Sequence, residues 1–463
     1  MKLLIFDLDF TLVNTTTCQD YLKTRAGREA IVEKLDSGKV VTELYFPDTV
    51  EYVNSLIAKV AQKETDVLPI IVSDSPKAYC EKIVELHGFK IPNSLIFAAA
   101  HKPCVEYDTL LTHLDTLDLK KYFDNTEVTE ALVVGDSAKD VFFGHEISMP
   151  SVWALWGFNA KDYTFKVETC RPTVSIKSLE ELKVEVVKFE TGGAAAFDYQ
   201  KPDFQKIFNI RTVDLADFNE HQVDDIGYAR YYVPEALDLE NGEHIDGYFE
   251  VNWMLKKAKD VPKDDLWKNR SQRFFKQSGE FTDYNKKLMS RAGAYKYRFN
   301  NWLKEKNIQG KVLLVPVPSS VPVECNKTYT VKLIAEWWTE WVNNLNPDCE
   351  LLHYDLLVER FNPKLPTHAK GGQRKIEDQL TTMGFINKMY EELPDDISAV
   401  VFLDDVTTSG YSINAMATIF RELNVVPEHI PLYGYVWFKT HHPTPDFDIM
   451  ELIAKADRVT EEI

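Results

Sequence analysis

Residues 1–11 read MKLLIFDLDFT, and in this stretch an apolar run, Leu3 to Phe6, is followed directly by the acids Asp7 and Asp9. A short, uninterrupted apolar run is typical of a strand that is buried on both faces of a parallel sheet. Open α/β sheets bind their ligands at the carboxyl ends of such strands. We therefore expect both carboxylates at the end of a strand, where two acids favour a bound cation.

Similar apolar runs recur along the first part of the chain, separated by helical patterns. They cover Leu68 to Val72, Leu95 to Ala99, Ala131 to Val134 and, as a further candidate, Ser151 to Trp156. This alternation predicts a parallel sheet covered by helices on both faces.

Polar side chains follow three of these runs. Ser73 ends the second run, Lys102 comes shortly after the third, and Asp136 and Asp140 follow the fourth in the segment VVGDSAKD. Together with Asp7 these residue types suit phosphoryl transfer. A carboxylate can attack phosphorus while a metal ion and a lysine neutralise the developing charge, and a second carboxylate can protonate the leaving alcohol.

The segment DLDFT, the serine at a strand end, the lysine and GDSAKD resemble, in this order, the motifs of the haloacid dehalogenase superfamily. A lone DxD is more often a solvated acidic loop, but the ordered set favours the catalytic interpretation. The resemblance implies a Mg²⁺-dependent phosphatase that acts through an aspartyl-phosphate. It assigns these roles: Asp7 as nucleophile, Asp9 as general acid and base, Lys102 as the stabilising cation, Thr11 and Ser73 as phosphate ligands, and Asp7, Asp9, Asp136 and Asp140 at the metal site.

The insertion between Asn14 and Tyr45 is short for a substrate-selecting cap, with room for one or two helices. In this superfamily such inserted caps usually select the substrate. We expect a site that is open to bulky substrates or is covered by the C-terminal domain.

A second constellation lies near the C-terminus. The apolar run Ala399 to Leu403 is followed by Asp404, Asp405 and a hydroxyl-rich turn, residues 407–410, before a predicted helix. Such a turn exposes backbone N–H groups at a helix N-terminus, which suits a phosphate monoester. The two acids are placed to accept hydrogen bonds from vicinal sugar hydroxyls.

This segment resembles the phosphoribosyl-pyrophosphate signature of type I phosphoribosyltransferases. The resemblance implies transfer of ribose 5-phosphate to a nitrogen nucleophile, with Mg²⁺ on the pyrophosphate. Carried over by position, Asp404 and Asp405 would hold the ribose hydroxyls, and Thr407, Thr408, Ser409, Gly410 and Ser412 would cradle the 5′-phosphate.

The strand 313–318, Arg360 and the basic residues Lys370, Arg374 and Lys375 resemble the competence-associated ComF-like branch of that superfamily. The basic residues are either a loop that closes over pyrophosphate or an ordinary solvated loop. Both alternatives stay open at this point.

The fold class we predict is α/β, with two tandem Rossmann-like three-layer domains built on parallel sheets and a mainly helical segment between them. The predicted parts are a hydrolase domain at 1–180, a linker at 181–204, a helical hood or connection at 205–310 and a phosphoribosyltransferase-like domain at 311–463. Aromatic residues between Trp253 and Trp302 could form a hood over the acceptor, but an aromatic stripe at helical spacing is more often core.

Composition narrows the classes of partner. The chain has 463 residues with a formal net charge of −19, which disfavours extended nucleic-acid binding. Its 6 cysteines form no CxxC pair and no apolar stretch is long enough to span a membrane. We expect a cytoplasmic protein whose partners are a phosphorylated small molecule and phosphoribosyl pyrophosphate. A homodimer remains an alternative.

Three functions are compatible with these motifs. The first is a bifunctional enzyme that makes a phosphoribosylated intermediate and dephosphorylates it to a nucleoside-like product. The second is a phosphatase gated by a domain that senses phosphoribosyl pyrophosphate or a nucleotide without turnover. The third is a regulatory protein, for instance in stress response or phage defence, that recognises nucleotides.

Overall fold

The computed structural model describes residues 1–22, 25–157, 161–192, 199–232, 250–255, 258–259, 272–275, 281–284, 288–326, 328–354, 357–364, 375–386 and 393–440. Within these ranges the chain forms two parallel sheets, each with its own apolar core, and two small antiparallel sheets. The predicted α/β class with two parallel sheets is confirmed.

The first parallel sheet is six-stranded and has the order β3-β2-β1-β4-β5-β6. Its strands are β1 Lys2–Phe6, β2 Val67–Val72, β3 Ile96–Phe97, β4 Glu130–Gly135, β5 Ser151–Ala154 and β6 Val174–Ile176. Every residue of β1 and β2 is buried, as expected for central strands covered on both faces. The chain moves outward from β1 in both directions, so the strand order reverses between β1 and β4.

Helices connect and cover these strands. They are α1 Gln19–Leu22, α2 Arg25–Asp36, α3 Thr49–Gln62, α4 Lys77–His87, α5 Tyr107–Asp115, α6 Ala138–Glu146, α7 Lys161–Thr169 and α8 Leu179–Glu190. Helix α8 crosses the predicted domain boundary at 180. Leu182, Val186 and Phe189 of α8 lie on one face of the helix and are buried in the first core, so the predicted linker begins inside a packed helix.

The second parallel sheet is five-stranded, with the order β12-β11-β15-β16-β8. Its strands are β8 Asp225–Tyr232, β11 Gly310–Pro316, β12 Cys349–His353, β15 Ile397–Thr407 and β16 Leu432–Thr440. The strand order reverses between β11 and β15. The remaining strands are β7 Ile210–Arg211, β9 Gln272–Phe275, β10 Phe281–Tyr284, β13 Val358–Arg360 and β14 Met383–Ile386.

The segment predicted to be mainly helical, 205–310, contributes strand β8 to the edge of this sheet. The sequence of β8, DIGYARYY, mixes polar and aromatic residues because one side of an edge strand faces solvent. The strand therefore could not be predicted from an apolar run. Helical structure does occur in the same segment, in helix α10 at Leu288–Glu305 and in the wide turn at Glu250–Leu255.

The other helices of this half are α9 Phe204–Ile207, α11 Thr330–Asn343, α12 Ile376–Leu380 and α13 Tyr411–Glu422. Helices α10 and α11 pack together on the second sheet. Phe299 of α10 stacks on Trp338 with ring centroids 4.8 Å apart, and the Trp338 indole N–H donates to the Ala292 carbonyl. Trp302, Trp337 and Trp338 are buried, so these aromatic residues are core.

A smaller apolar cluster joins the two halves. Phe142, Trp153, Val167 and Cys170 of the first half pack in it with Phe361. Phe204 and Cys325 complete the buried contacts from the second half. The ammonium of Lys166 in α7 also donates to the Asn326 carbonyl over 2.7 Å.

None of the helices in the described ranges is long and apolar enough to cross a membrane.

Candidate active site

The reversal of strand order between β1 and β4 creates the crevice that holds the first site. Asp7 directly follows β1, and its backbone N–H donates to the Val134 carbonyl of β4 over 2.8 Å. Asp136 directly follows β4. Ligands of open α/β sheets bind at such a switch point, outside the carboxyl ends of the strands.

Three carboxylates meet at this crevice. Asp7, Asp136 and Asp140 are buried, and each offers an oxygen within 4.8 Å of the others. Buried carboxylates so close together repel one another unless a cation lies between them. Hard oxygen donors of this kind are the ligands that Mg²⁺ takes in proteins, so the donor set fits the predicted metal.

The start of α6 fixes the position of Asp140. Its Oδ2 accepts from both the backbone N–H and the hydroxyl of Ser137, which caps the helix. Gly135 is required beneath it, because a Cβ on that residue would lie 2.1 Å from the Asp140 Cγ. The glycine and serine of the GDSAKD segment therefore serve to place its second acid.

Lys102 joins the acids from the loop after β3. Its ammonium lies 2.7 Å from Asp7 Oδ1 and 2.5 Å from Asp140 Oδ1, and its backbone N–H donates to Asp74 Oδ1. Burial alone would lower the pKa of Lys102, but the charges of Asp140, Asp7 and Asp74 outweigh burial and raise it. The lysine is therefore a fixed cation and not a proton donor.

The surroundings of Asp7, the candidate nucleophile, disfavour the charged form of its carboxyl. Burial, together with the charges of Asp140, Asp136 and Asp9, raises the pKa of the Asp7 carboxyl well above its usual range, and Lys102 opposes this rise. A cation bound between the acids would lower the pKa of Asp7 and keep it ionised. The residues present are therefore matched to a site that works with a divalent ion.

Asp9 is held apart from that group. Its Oδ2 accepts from the Ser75 hydroxyl over 2.6 Å and its Oδ1 from the Tyr79 hydroxyl over 2.8 Å, while Ser73 Oγ lies 3.4 Å from Oδ2. Among the described residues, the acids close enough together to share a metal ion are Asp7, Asp136 and Asp140, so a place for Asp9 at the metal site stays a prediction. A carboxyl that is not part of that group of acids is available for the predicted role in proton transfer.

Two partners of Asp9 were not predicted from the sequence. Ser75 follows Ser73 by two residues, and Tyr79 lies in the first turn of α4. Hydroxyl residues are frequent at helix starts for capping reasons, so their spacing alone does not mark a functional role. The pairing of Ser75 and Tyr79 with Asp9 can be recognised only once β2 and β1 are known to be neighbouring strands.

The predicted phosphate ligands Thr11 and Ser73 are both buried. Ser73 Oγ accepts from the Ser75 backbone N–H over 3.1 Å. Thr11 Oγ1 has no hydrogen-bond partner among the described residues. A buried hydroxyl without a partner is costly, and a bound phosphoryl oxygen would satisfy it.

The short insertion is closed at its base by a bridge between Asn14 and Glu43. In the segment after this bridge, burial and then the charge of Asp136 raise the pKa of the Tyr45 hydroxyl to about 12. Strand β9 of the C-terminal half contacts helix α1 of the insertion, and the turn at 323–325 contacts α6 and α7. Whether the site is open to bulky substrates or covered by the C-terminal half stays a prediction.

A second set of polar groups lies at the reversal of the second sheet. Strand β15 continues through Asp404 and Asp405 to Thr407, four residues further than the apolar run alone predicts. Burial, and next the charge of Asp405, raise the pKa of the Asp404 carboxyl well above its usual range. The Lys259 ammonium lies 3.7 Å from Asp405 Oδ2.

The predicted phosphate turn connects β15 to α13. Gly410 caps the helix with a φ of 78°, a conformation that glycine adopts without strain. Its N–H donates to Thr407 Oγ1, and Thr408 Oγ1 donates to Thr440 Oγ1 of the neighbouring strand. Ser409 and Ser412 flank this glycine in the turn and the first helical turn.

Of the basic residues predicted for this half, Arg360 and Lys375 lie within the described residues. Arg360 is buried and donates to the Ser319 carbonyl, the Thr382 hydroxyl and Gln379 Oε1. Since Arg360 ends β13, it connects the chain segment after β11 to the small sheet of β7, β13 and β14. Lys370 and Arg374 lie outside the described residues, and the Lys375 backbone N–H caps α12 by donating to Asp378.

No family model matches the chain, and no curated protein matches it in sequence. Among solved structures, similarity is found to a haloacid dehalogenase-like hydrolase from Streptococcus pneumoniae, with 18% identity, a TM-score of 0.26 and coverage of 40% of this chain and 98% of that chain. A hydrolase from Pseudomonas syringae has 13% identity, a TM-score of 0.28 and coverage of 41% and 100%. An archaeal β-phosphoglucomutase from Pyrococcus has 14% identity, a TM-score of 0.27 and coverage of 42% and 100%. Likeness this distant assigns no activity, so a functional assignment depends on the residues of the site.

Proposed function

We propose that the N-terminal half is a Mg²⁺-dependent phosphomonoesterase that forms an aspartyl-phosphate on Asp7. The observation that carries the proposal is the buried group of Asp7, Asp136 and Asp140 with the Lys102 ammonium 2.7 Å from Asp7, beside a separately held Asp9. A divalent ion held by the three acids would neutralise charge on the phosphoryl group and orient it.

The residues divide the reaction between them. A carboxylate oxygen of Asp7 attacks phosphorus, the bond from phosphorus to the ester oxygen breaks, and Asp9 donates the proton that the leaving alcohol takes up. Asp9 then accepts a proton from the water that attacks the aspartyl-phosphate, which releases inorganic phosphate and restores Asp7. Lys102 stabilises negative charge on the carboxylate and the phosphoryl oxygens throughout.

Hydrolysis of p-nitrophenyl phosphate tests this proposal. Full-length protein is expected to release phosphate with Mg²⁺ and to lose that activity with a chelator, while Asp7→Asn is inactive with or without the metal. The exposed surface acid Asp118 supplies the matched control, because Asp118→Asn removes one carboxylate away from the site. Metal-independent turnover, or an active Asp7→Asn variant, would rule the mechanism out.

We further propose that the C-terminal half binds phosphoribosyl pyrophosphate and transfers its phosphoribosyl group to a nitrogen acceptor. Support comes from Asp404 and Asp405 at the reversal of the second sheet and from the adjacent hydroxyl-rich turn at a helix start. Transfer would yield an N-ribosyl 5′-phosphate, and a phosphomonoesterase would remove that phosphate. The two halves would then catalyse consecutive steps.

Pyrophosphate release from phosphoribosyl pyrophosphate, screened against a panel of bases and amides with Mg²⁺, tests the second half. Release that depends on an acceptor and disappears in Asp404→Asn/Asp405→Asn supports transfer. Accumulation of a phosphorylated product in Asp7→Asn supports consecutive steps. Failure of every acceptor, with tight ligand binding retained, would instead make the second half a sensor.

One observation favours that sensor as the alternative. The turn at 323–325, which follows β11 at the reversal of the second sheet, contacts α6, and α6 carries Asp140. A ligand that shifts this turn could therefore change the phosphatase site. In that case phosphoribosyl pyrophosphate would alter the rate of phosphate-ester hydrolysis without being consumed.

A further inference from the structure

An aromatic side chain joins the two parts of the phosphatase site. The indole N–H of Trp156 donates over 3.0 Å to the backbone carbonyl of Thr11, two residues after Asp9. The next residue, Gly157, lies so close to Asp136 that a Cβ on it would be 2.2 Å from the Asp136 Cβ. Trp156 is therefore fixed between the loop that carries Asp9 and a metal-site acid.

Two further rings come from the segment that follows the bridge between Asn14 and Glu43. Phe46 packs on Trp156 with ring centroids 5.0 Å apart and planes at 83°, which holds the orientation of the indole. Tyr45 directly precedes Phe46 in the chain. The bridge from Asn14 to Glu43 anchors this segment next to the nucleophile loop.

The three rings of this aromatic rim, Tyr45, Phe46 and Trp156, are all half-buried. All three therefore keep part of their surface exposed, while Phe46 and Trp156 also pack against the first apolar core. Phosphate binding needs only the acids, the cation and the hydroxyls, so the rings contribute nothing to the phosphoryl group itself. A planar leaving group is the ligand chemistry that a fixed indole recognises, because stacking on an aromatic face is favourable for any nucleobase.

We infer that Trp156, supported by Phe46 and Tyr45, selects phosphate monoesters whose leaving group carries a nucleobase-like ring, so that the substrate class is a nucleoside 5′-monophosphate or a close analogue. This inference rests on the proposed phosphatase function of the same crevice. It agrees with the product expected from the C-terminal half, which would carry a ring on the ribose. It does not depend on that half being catalytic.

The test compares adenosine 5′-monophosphate with ribose 5-phosphate, which share the phosphorylated ribose and differ in the base. Stacking of one base on an aromatic side chain is worth about tenfold or more in affinity, so kcat/KM is expected to favour the nucleotide by roughly that factor. Trp156→Leu is expected to bring the ratio of the two kcat/KM values close to one. Trp156→Phe, which keeps a ring but loses the indole N–H, is expected to retain most of the preference.

The ratio cancels any general loss of folded enzyme. The matched control is Trp341→Leu, at a half-buried tryptophan of the C-terminal half that stacks on Trp337, and it is expected to leave the ratio as in the wild type. Equal turnover of both esters by the wild type, or a preference that survives Trp156→Leu, would overturn the inference while leaving the phosphatase intact. Hydrolysis of p-nitrophenyl phosphate but of neither ribose ester would also overturn it. Absence of turnover with all three esters would instead refute the phosphatase proposal.

Discussion

At the scale of single residues, a change at the buried hydroxyl of Thr11 distinguishes a role in phosphate binding from a role in folding stability. Because Thr11 Oγ1 has no partner among the described residues, Thr11→Val is expected to leave the melting temperature unchanged or to raise it slightly. In the proposed site the same change would remove a donor to the phosphoryl group, so the inhibition constant of inorganic phosphate is expected to rise about tenfold. Thermal melting and phosphate inhibition, measured on the same preparation, check both parts. A clear loss of stability with unchanged phosphate affinity would show that the hydroxyl is structural.

Most residues of the first site could be predicted from the sequence because each follows a strand of a parallel sheet. Asp7, Ser73 and Asp136 come directly after the apolar runs that became β1, β2 and β4, and a parallel sheet gathers those strand ends. The pairing of Asp9 with Ser75 and Tyr79 could not be predicted, since it depends on side-chain directions across two strands. Trp156 could not be recognised as a site residue either. The apolar pattern predicted a strand that includes Trp156, whereas β5 ends at Ala154.

At the scale of elements, helix α6 carries the buried Asp140 in its first turn and a buried histidine near its end. Its residue His145 is fully buried, with Nε2 donating to the Cys170 carbonyl and Nδ1 accepting from the Tyr199 hydroxyl. Burial lowers the pKa of His145, so the folded protein keeps the ring neutral.

The pH dependence of stability follows from this neutral ring. The pKa of His145 is lower in the folded than in the unfolded state, so its contribution is complete above the unfolded value of about 6.5 and falls as pH drops towards the folded value. His145→Gln is expected to lower the free energy of unfolding by about 1–3 kcal/mol near neutral pH, because two buried groups lose their partner. That difference should shrink between about pH 7.5 and about pH 5.5 in urea melts. A difference that stays constant over this range would contradict a neutral buried histidine.

Strand lengths and edge strands are the elements that sequence patterns predict least well. The apolar run near residue 95 becomes a strand of 2 residues, Ile96–Phe97, and β15 extends through its two acids. In β15 the hydrogen bonds to β16 continue past Asp404, so pairing with a neighbour decides where the strand ends. Strand β8 is defined in the same way, by its register with β16.

At the scale of the whole molecule, the apolar cluster between the halves is expected to make them unfold together. Phe361 of the C-terminal half is 5% exposed within this cluster, and truncation of a buried phenylalanine typically costs about 3–5 kcal/mol. Phe361→Ala is therefore expected to split a single calorimetric transition into two and to lower the temperature at which phosphatase activity is lost. Leu345→Ala, at an exposed apolar residue of the same half, is the control and should leave the profile unchanged. Two separate transitions in the wild type would show that the contact does not couple the halves.

Each half places its acids at the point where the strand order of its sheet reverses, directly after β1 and β4 in the first half and within the last part of β15 in the second. That correspondence follows from the parallel topology and was predictable from the order of motifs. The contact between the halves was not predictable, because its residues are apolar side chains from distant segments whose pattern equally suits an ordinary core.

The most direct test of the central claim is to trap the phosphorylated enzyme. Protein incubated with Mg²⁺ and p-nitrophenyl phosphate, quenched in acid and digested, should carry phosphate on the peptide that contains Asp7, in a linkage cleaved by hydroxylamine. Asp9→Asn, which still allows attack but impairs hydrolysis, should accumulate more of this species, and Asp7→Asn should form none. Phosphate release without any label on Asp7, or the same label in Asp7→Asn, would contradict an aspartyl-phosphate mechanism.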